Sequence, residues 1–343
     1  MIKILCLTGT LTASTQIRIL GPLNLLEKND MIRQRVVFVS RKTNPDLKHI
    51  QWADIIVFQR QRSKKWLKLL KHAQKNRRMT VFEIDDNMFE IPKGHPEYGL
   101  LNRIKNKKYM RFIKRVDCVT VSTEELCNYL SKYTKRICVL PNYIDKEICN
   151  FDFSKREKKK YITIGYSGGK THKPDLEIVI PAIKKILDEF PNKVQFKFLG
   201  YIPSELIEYS QIEYIGLISD YRTYLYSLKT SGIDFAIAPL KDNLFNRCKS
   251  NIKFLEYSIC GIPGIYSNVK PYTDIVKDRK TGIIVNPNSS DNWHEAMKLI
   301  ILDKNLRENI ARNCYEYVNK HWLLQDNFTK WFEVYSSLMK NKK

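Results

Sequence analysis

Short apolar runs alternate along the chain with stretches of helical period. In the first half, Ile2–Thr8, Val36–Val39, Ile55–Phe58, Thr80–Ile84, Cys118–Val121 and Ile137–Leu140 read as strands. Gln16 to Glu27 reads as a helix whose regular part follows Pro22, and Lys64–Gln74 as another. Ser122-Thr123-Glu124-Glu125 has the spacing of a capping box and predicts a helix to about Ser131. The pattern restarts with strands at Tyr161–Tyr166, Val194–Leu199, Ile233–Ala238, Gly264–Tyr266 and Gly282–Val285. Helices are expected from about Asp175 to Phe190, over Tyr221–Leu228, from Ile252 to Ile259, from about Asp291, and from Gln325 to Leu338. Such alternation predicts an α/β protein with doubly wound parallel sheets, whose ligands lie beyond the carboxyl ends of the strands.

The 343 residues suffice for two medium domains, each with its own core. The repeated pattern places one Rossmann-like domain at 1–150 and a second at 161–322. The polar segment FDFSKREKKK, at 151–160, is the expected linker. In the last segment, 323–343, Phe328, Trp331, Phe332 and Tyr335 recur at helical spacing and are expected to be core.

Composition narrows the picture. A hydrophobic content of 43% is that of a globular chain, and no run approaches the roughly 18–20 apolar residues that span a bilayer. The opening MIKILCLTGTLTA is too short and wrongly flanked for a signal peptide and reads as a first buried strand. Eight cysteines without a CxxC pair predict buried, reduced thiols, a cytoplasmic setting and no structural zinc. The net charge of +23 predicts an anionic partner. Two acid-free runs, 60–78 and 103–115, carry much of it and interleave cations with Trp66, Leu67 and Leu70, and with Tyr109, Met110 and Ile113. Basic amphipathic helices of this kind suit the surface of an anionic membrane, docked peripherally on its inner face, better than a nucleic acid.

The densest chemistry lies in Leu244–Asp274. Asn246, Arg247, Lys249, Ser250 and Asn251 form a basic, polar entry to a helix that carries Glu256 and closes at Cys260-Gly261-Ile262-Pro263. Free amides, the positive end of a helix dipole and full cations together form an anion site. Gly168, Gly169, Lys170 and His172 follow a strand as a second phosphate-type loop, although neither the Walker nor the dinucleotide spacing is met. Glu83-Ile84-Asp85-Asp86 ends a strand, and alternation puts Glu83 and Asp85 on one face and Asp86 on the other. Three readings of these acids stand: a metal site, an acceptor or catalytic role, and ion pairing with nearby cations. His95, in a proline-flanked loop, is a candidate proton or hydrogen-bond donor, and Arg18 a candidate phosphate contact across the cleft.

These residues carry a resemblance. The stretch 244–264, the turn Pro141-Asn142-Tyr143-Ile144-Asp145 and the acidic pattern at 83–96 resemble glycosyltransferase family 4, a group 1 family, in its polysaccharide and O-antigen relatives. The resemblance implies a GT-B fold, with two Rossmann-like domains facing a cleft and the terminal helix crossing back to the first. It implies a retaining transferase that moves a sugar from a nucleoside-diphosphate sugar to a glycan or lipid-linked acceptor, in cell-surface polysaccharide synthesis, with no metal or other cofactor. Glu256 would hold the donor ribose, and Gly168, Gly169, Lys170, His172, Asn246, Ser250 and Asn251 the rest of the donor. Arg247 and Lys249 would stabilise the leaving phosphate, and Asp85, Asp86 and His95 would serve the acceptor. The family's usual second glutamate, eight positions before Glu256, is replaced here by Cys248. Two alternatives stay open: an epimerase or hydrolase that uses the same pocket, and, because of that departure, a non-catalytic basic protein that binds anionic lipid or nucleic acid.

Overall fold

The computed structural model describes residues 1–40, 47–99, 102–148 and 160–340; the expected linker at 151–160 lies outside them except for Lys160. The fold class is the expected α/β one. β1 (Ile2–Thr8), β2 (Ile32–Phe38), β3 (Ile55–Gln59), β4 (Met79–Ile84), β5 (Cys118–Val121) and β6 (Ile137–Val139) form a parallel six-stranded sheet in the order β2-β1-β3-β4-β5-β6. β7 (Ile162–Gly168), β8 (Val194–Gly200), β9 (Ile212–Ile215), β10 (Phe235–Ala238), β11 (Gly264–Ser267) and β12 (Ile283–Val285) form the second, ordered β12-β11-β10-β7-β8-β9. Strand order reverses beside β1 and β3 in the first sheet, and beside β7 and β10 in the second. Two crevices therefore open at the carboxyl ends of those strands.

Most differences from the expected elements have local causes. β2 begins at Ile32, earlier than its apolar run, because an edge strand leaves room for the exposed Arg33 and Arg35. β9 (IEYI) was not expected; Glu213 and Tyr214 face solvent at a sheet edge and break the apolar signal. The expected helix at 175–190 is interrupted and resumes at Ile180, with Pro181 in its first turn where a missing N–H costs nothing. Pro22 likewise cannot donate within its helix, and Gln16–Leu20 forms one wide π-type turn before the regular helix Gly21–Lys28. The cap at 122–125 is shifted by one residue. Thr123, not Ser122, accepts from the Leu126 amide, because the Ser122 hydroxyl donates to the Asp85 carbonyl at the end of β4. The helix Ile252–Ile259 closes as expected, with Gly261 at φ +66° and the Ile262 amide donating back to the Tyr257 carbonyl.

The basic helix Lys64–Lys75 keeps its apolar side for the protein. Trp66, Leu69, Leu70 and Ala73 are buried against the first sheet, so a membrane would meet its outward cations, Lys64, Lys68, Lys71 and Lys75. Tyr109, Phe112 and Ile113 of the helix Asn102–Ile113 are buried in the same way. Insertion of the apolar face of Lys64–Lys75 into lipid, as an amphipathic helix would achieve, is thereby excluded. Among the described residues no helix is long and apolar enough to cross a membrane.

The chain end binds the two halves together. Ile144 exchanges backbone hydrogen bonds with Trp322 and Leu324, at 3.0 and 2.8 Å, and the helix Thr329–Lys340 packs across the first sheet. Trp331 and Tyr335 are fully buried there among Ile4, Cys6, Leu23 and Tyr143. Replacing Trp331 by Ala should cost about 3–5 kcal/mol, the range for large-to-small aromatic truncations. Urea denaturation measures this, and a loss below about 1 kcal/mol would show that the terminal helix does not support the first sheet.

Candidate functional site

Two adjoining cavities open where the crevices of the sheets face each other. The larger, about 1420 Å³, is lined by the loops after β1, β3 and β4, and by Thr171, Phe245 and Lys249 from the second half. The smaller, about 470 Å³, lies between Thr10–Ala13 and the second sheet's loops at Gly168-Gly169, Gly200 and Gly216–Ser219. Thr10 and Thr12 line both, so the loop after β1 forms the partition.

Glu256 forms part of the smaller cavity's wall. Its carboxylate is nearly buried, receives Lys253 Nζ at 2.8 Å and accepts from the Tyr224 hydroxyl at 2.9 Å. Burial alone would strip the proton from Lys253, but Glu256, followed by Tyr224 and Tyr257, drives its pKa well above the ordinary lysine value. Lys253 also donates to the Tyr224 hydroxyl, and Ser167 Oγ lies 2.8 Å from it, so this wall is rigidly hydrogen-bonded. The opposite wall is backbone. Gly169 has open space where a side chain would project, whereas a Cβ at Gly200 (φ +105°) would lie 2.6 Å from the Gly168 carbonyl. Gly168 and Gly169 thus bring main chain to the cavity as expected. Lys170 does not line either cavity and is exposed. His172 is half-buried and sits 3.2 Å from Asp175; burial and the charge of Lys249 lower its pKa despite that carboxylate.

The entry Asn246–Asn251 splits its functions. Asn243 caps a single turn, Leu244–Arg247. The Asn246 amide is buried and donates to Asp175 at 2.8 Å and to the Lys241 carbonyl at 2.9 Å, so it braces the loop and lines neither cavity. Arg247 turns outward into a two-pronged pair with Asp242, at 2.6 and 2.9 Å, and lines neither cavity. The reason is local: a turn this short puts neighbouring side chains on different sides, and Asp242 neutralises the one outside. Cys248 is buried in the first half's core, where Asn87 donates to its Sγ and Thr123 to its carbonyl. Lys249 remains in the larger cavity, 4.5 Å over the Phe245 ring and 4.0 Å from Asp86. Ser250 accepts from Asn142 at 2.8 Å, and Asn251 begins the helix without a side-chain cap.

The first half supplies an ion cluster. Arg60, in the left-handed region at φ +50°, pairs with both Asp85 and Asp86. The strand ends at Ile84, so the alternation expected beyond it fails: Asp85 and Asp86 converge on one guanidinium, while Glu83 points to another. Ser14 also donates to Asp85, at 2.6 Å. Burial would raise the Asp86 carboxyl, but Lys249, Arg60 and His172 outweigh it and hold it below the usual aspartate value. His95 is buried edge-on to Phe245, and its Nδ1 accepts from the Glu97 amide, which places the neutral ring's proton on Nε2. Burial, then the Lys249 charge, lowers its pKa. Arg18 does not reach a phosphate. Its guanidinium is wholly buried, donating to Glu83 at 2.8 and 3.3 Å, to Asn142 at 3.0 Å and to the Leu140 carbonyl.

Four residues of this site were not expected from the sequence: Arg60, Asn142, Tyr224 and Lys253. Lys253 carried a usable signal, since it stands three positions before Glu256, on the same helix face. Arg60, Asn142 and Tyr224 acquire meaning only from partners 25 to 124 residues away.

Residues 251–317 match the family model described as Glycosyl transferases group 1. Among curated proteins compared by sequence, none matches the chain. Solved glycosyltransferase structures share the fold along its length. Sucrose-phosphate synthase from Thermosynechococcus elongatus superposes with a TM-score of 0.71 at 13% identity, covering 99% of this chain and 100% of that one. HepE from Anabaena, in complex with UDP-glucose, gives 0.68 at 16%, with 98% and 100% covered. WaaG, a glycosyltransferase involved in lipopolysaccharide biosynthesis, gives 0.65 at 13%, with 97% and 98% covered. The architecture is therefore that of GT-B glycosyltransferases.

Arg18→Met should destabilise the protein by about 3–5 kcal/mol, because it leaves the Glu83 carboxylate buried and unpaired. Adding Glu83→Gln should recover part of the loss. Equal denaturation midpoints for Arg18→Met and the parent protein would refute the pairing.

Proposed function

We propose that this protein is a glycosyltransferase that moves a sugar from a nucleoside-diphosphate sugar to a hydroxyl of a glycan or lipid-linked acceptor. The donor occupies the second half, and the acceptor the cavity of the first half. The carrying observation is the buried Glu256–Lys253 pair on the wall of a cavity whose other wall is the Gly168-Gly169 backbone. A buried carboxylate opposite glycine amides suits a ribose diol and a diphosphate respectively. The match over 251–317 includes Glu256, and HepE, of the same fold, is known in complex with UDP-glucose, which favours UDP among the donor nucleotides to test.

In this reading Lys249 and the amides at Ser250 and Asn251 stabilise charge developing on the leaving phosphate. Arg247, paired with Asp242, has no part in it. His95 Nε2–H positions acceptor or sugar oxygens. Asp86, held strongly ionised, is a weak base. A departing phosphate, with a second pKa near 6, is the better proton acceptor for the attacking hydroxyl. Bond order balances: the anomeric carbon exchanges its phosphate oxygen for the acceptor oxygen, and the acceptor proton leaves with the diphosphate. Retention of configuration is the outcome that the family resemblance carries.

Metal dependence is not expected, because Asp85 and Asp86 are already neutralised by Arg60 and, for Asp86, by Lys249. The cations of 60–78 and 103–115 would hold the enzyme against an anionic inner membrane face by charge alone. The fold shared with WaaG, a glycosyltransferase involved in lipopolysaccharide biosynthesis, supports a role in cell-surface polysaccharide synthesis.

Incubation with UDP-sugars and glycan or lipid-linked acceptors, followed by mass analysis, tests the reaction. Acceptor-linked sugar with and without EDTA is expected; released nucleotide without a transferred sugar would point to a hydrolase. UDP at a hundredfold excess over Kd should add about 2.7 kcal/mol of stability, and Glu256→Ala should abolish that shift. Lys249→Ala should lower kcat by about 10²–10³-fold. Because His95 ionises below 6.5, it is neutral at pH 7 and gains its proton only in acid. kcat/KM should therefore stay level from pH 7 to 8 and fall below about pH 6.5, by up to tenfold per unit. A profile that stays level through the acid range would remove neutral His95 from the mechanism.

A further inference from the structure

Asp175 is a buried carboxylate without a part in the transfer chemistry proposed above. It is 5% exposed and lies in the short helix Lys173–Leu176, past the loop that follows β7. Its Oδ1 accepts from the Lys241 amide at 2.9 Å and from the Asn246 side chain at 2.8 Å, both on the segment that follows β10. β7 and β10 are the strands beside which the order of the second sheet reverses. One carboxylate therefore ties together the loops on either side of that crevice. The first carries Gly168 and Gly169, and the second leads to Lys249.

The other oxygen fixes the state of a histidine. Asp175 Oδ2 lies 3.2 Å from His172 Nδ1. Burial would raise the Asp175 carboxyl, but His172, the Lys241 amide and Lys249 hold it below the usual aspartate value. An ionised carboxylate only accepts, so His172 Nδ1 carries the proton. Burial, then the charges of Lys249 and Lys253, outweigh Asp175 and keep the ring neutral at pH 7. Its lone pair is then on Nε2, which makes no hydrogen bond among the described residues. His95 is the opposite case, with Nδ1 accepting from the Glu97 amide and the proton on Nε2.

The loop that bears His172 runs between the two cavities. Gly168 and Gly169 line the smaller one and Thr171 the larger, and His172 follows directly, with 26% of its side chain exposed. The Lys249 charge acts on this ring, and a charge on the ring would act on Asp86 and His95. All three of those side chains line the larger cavity.

We infer that Asp175 is a positioning residue, which fixes His172 as a hydrogen-bond acceptor for a hydroxyl of the transferred sugar. An ionised phosphate oxygen does not suit Nε2, because neither atom would bring a proton. The inference rests on the donor reading proposed above and adds to it a contact with the sugar.

Long-range proton–nitrogen correlation spectra of the full chain, at about pH 8 and so above the ordinary histidine pKa, observe both ring nitrogens. His172 should show a pyrrole-like Nδ1 and a pyridine-like Nε2, assigned by their loss in His172→Leu. At least one of UDP-glucose, UDP-galactose and UDP-N-acetylglucosamine should shift Nε2 beyond any change that UDP causes. Asp175→Asn keeps an oxygen for Lys241 and Asn246 but turns an N–H donor towards His172. It should move the ring proton to Nε2 and leave UDP affinity within twofold. The same UDP-sugar should bind about tenfold more weakly, the loss of one hydrogen bond. His172→Leu should give a similar loss, and the double variant no further one, because Asp175 acts through His172. A pyridine-like Nδ1 in the parent protein would overturn the inference. So would an Nε2 signal that no UDP-sugar moves, or a loss in Asp175→Asn that UDP shares equally, which would leave Asp175 a brace only. If UDP itself does not bind, the donor reading fails and the sugar contact with it. The spectrum of the unliganded chain then still decides whether Asp175 sets the His172 proton.

Discussion

One guanidinium ties together every part of this molecule. Arg18 sits in the wide turn before Pro22, where it meets Glu83 from β4, the carbonyl at the end of the β6 segment, and Asn142 on the chain leaving the first sheet. Asn142 passes the connection to Ser250 in the second half, while Trp331 of the terminal helix lies beneath the guanidinium, 5.8 Å from ring centre. A buried arginine costs much desolvation energy unless all its donors are used. That requirement makes the pairing a constraint: the first sheet, the crossing chain and the terminal helix must be placed together for it to be met.

The site inherits its position from this arrangement. Parallel strands leave amide-rich loops at one end, and reversed strand order separates two neighbouring loops enough to admit a ligand. Here the two sheets turn those ends towards each other. Cys248 and Lys249 then show how one turn can serve two purposes. The thiol is inserted into the first half's core, and the next side chain is thereby held over Phe245 beside Asp86. An acid at 248 would meet the apolar neighbours of that core, so the departure from the family pattern fits a changed packing at this corner.

Charge follows a similar logic of allocation. Arg18 is consumed by the fold, and Arg247 by Asp242; Arg60 neutralises two aspartates. Lys249 lines the larger cavity beside Asp86, while Lys253, which lines the smaller one, is paired with Glu256. Net charge alone overstates the number of cations available for binding, because it counts those already paired.

The α/β class, most strands and helices and the Gly261 stop were legible in the sequence, because each rests on period or spacing within a few residues; Glu256 and Lys249, singled out by type and spacing, line the two cavities. β9 and the early start of β2 were not, since sheet edges relax the apolar pattern that betrays a strand. Arg18, Asn246 and Arg247 carried the right chemistry for phosphate, but their donors went to Glu83, Asp175 and Asp242 instead. Residue type sets what a side chain can bind; only tertiary placement decides whether its partner is solvent, ligand or another part of the protein. The sequence by itself therefore determined the elements and the store of charged groups. The tertiary structure decided which groups remain for chemistry, because a buried polar group must find its partner wherever the fold brings one within about 3 Å.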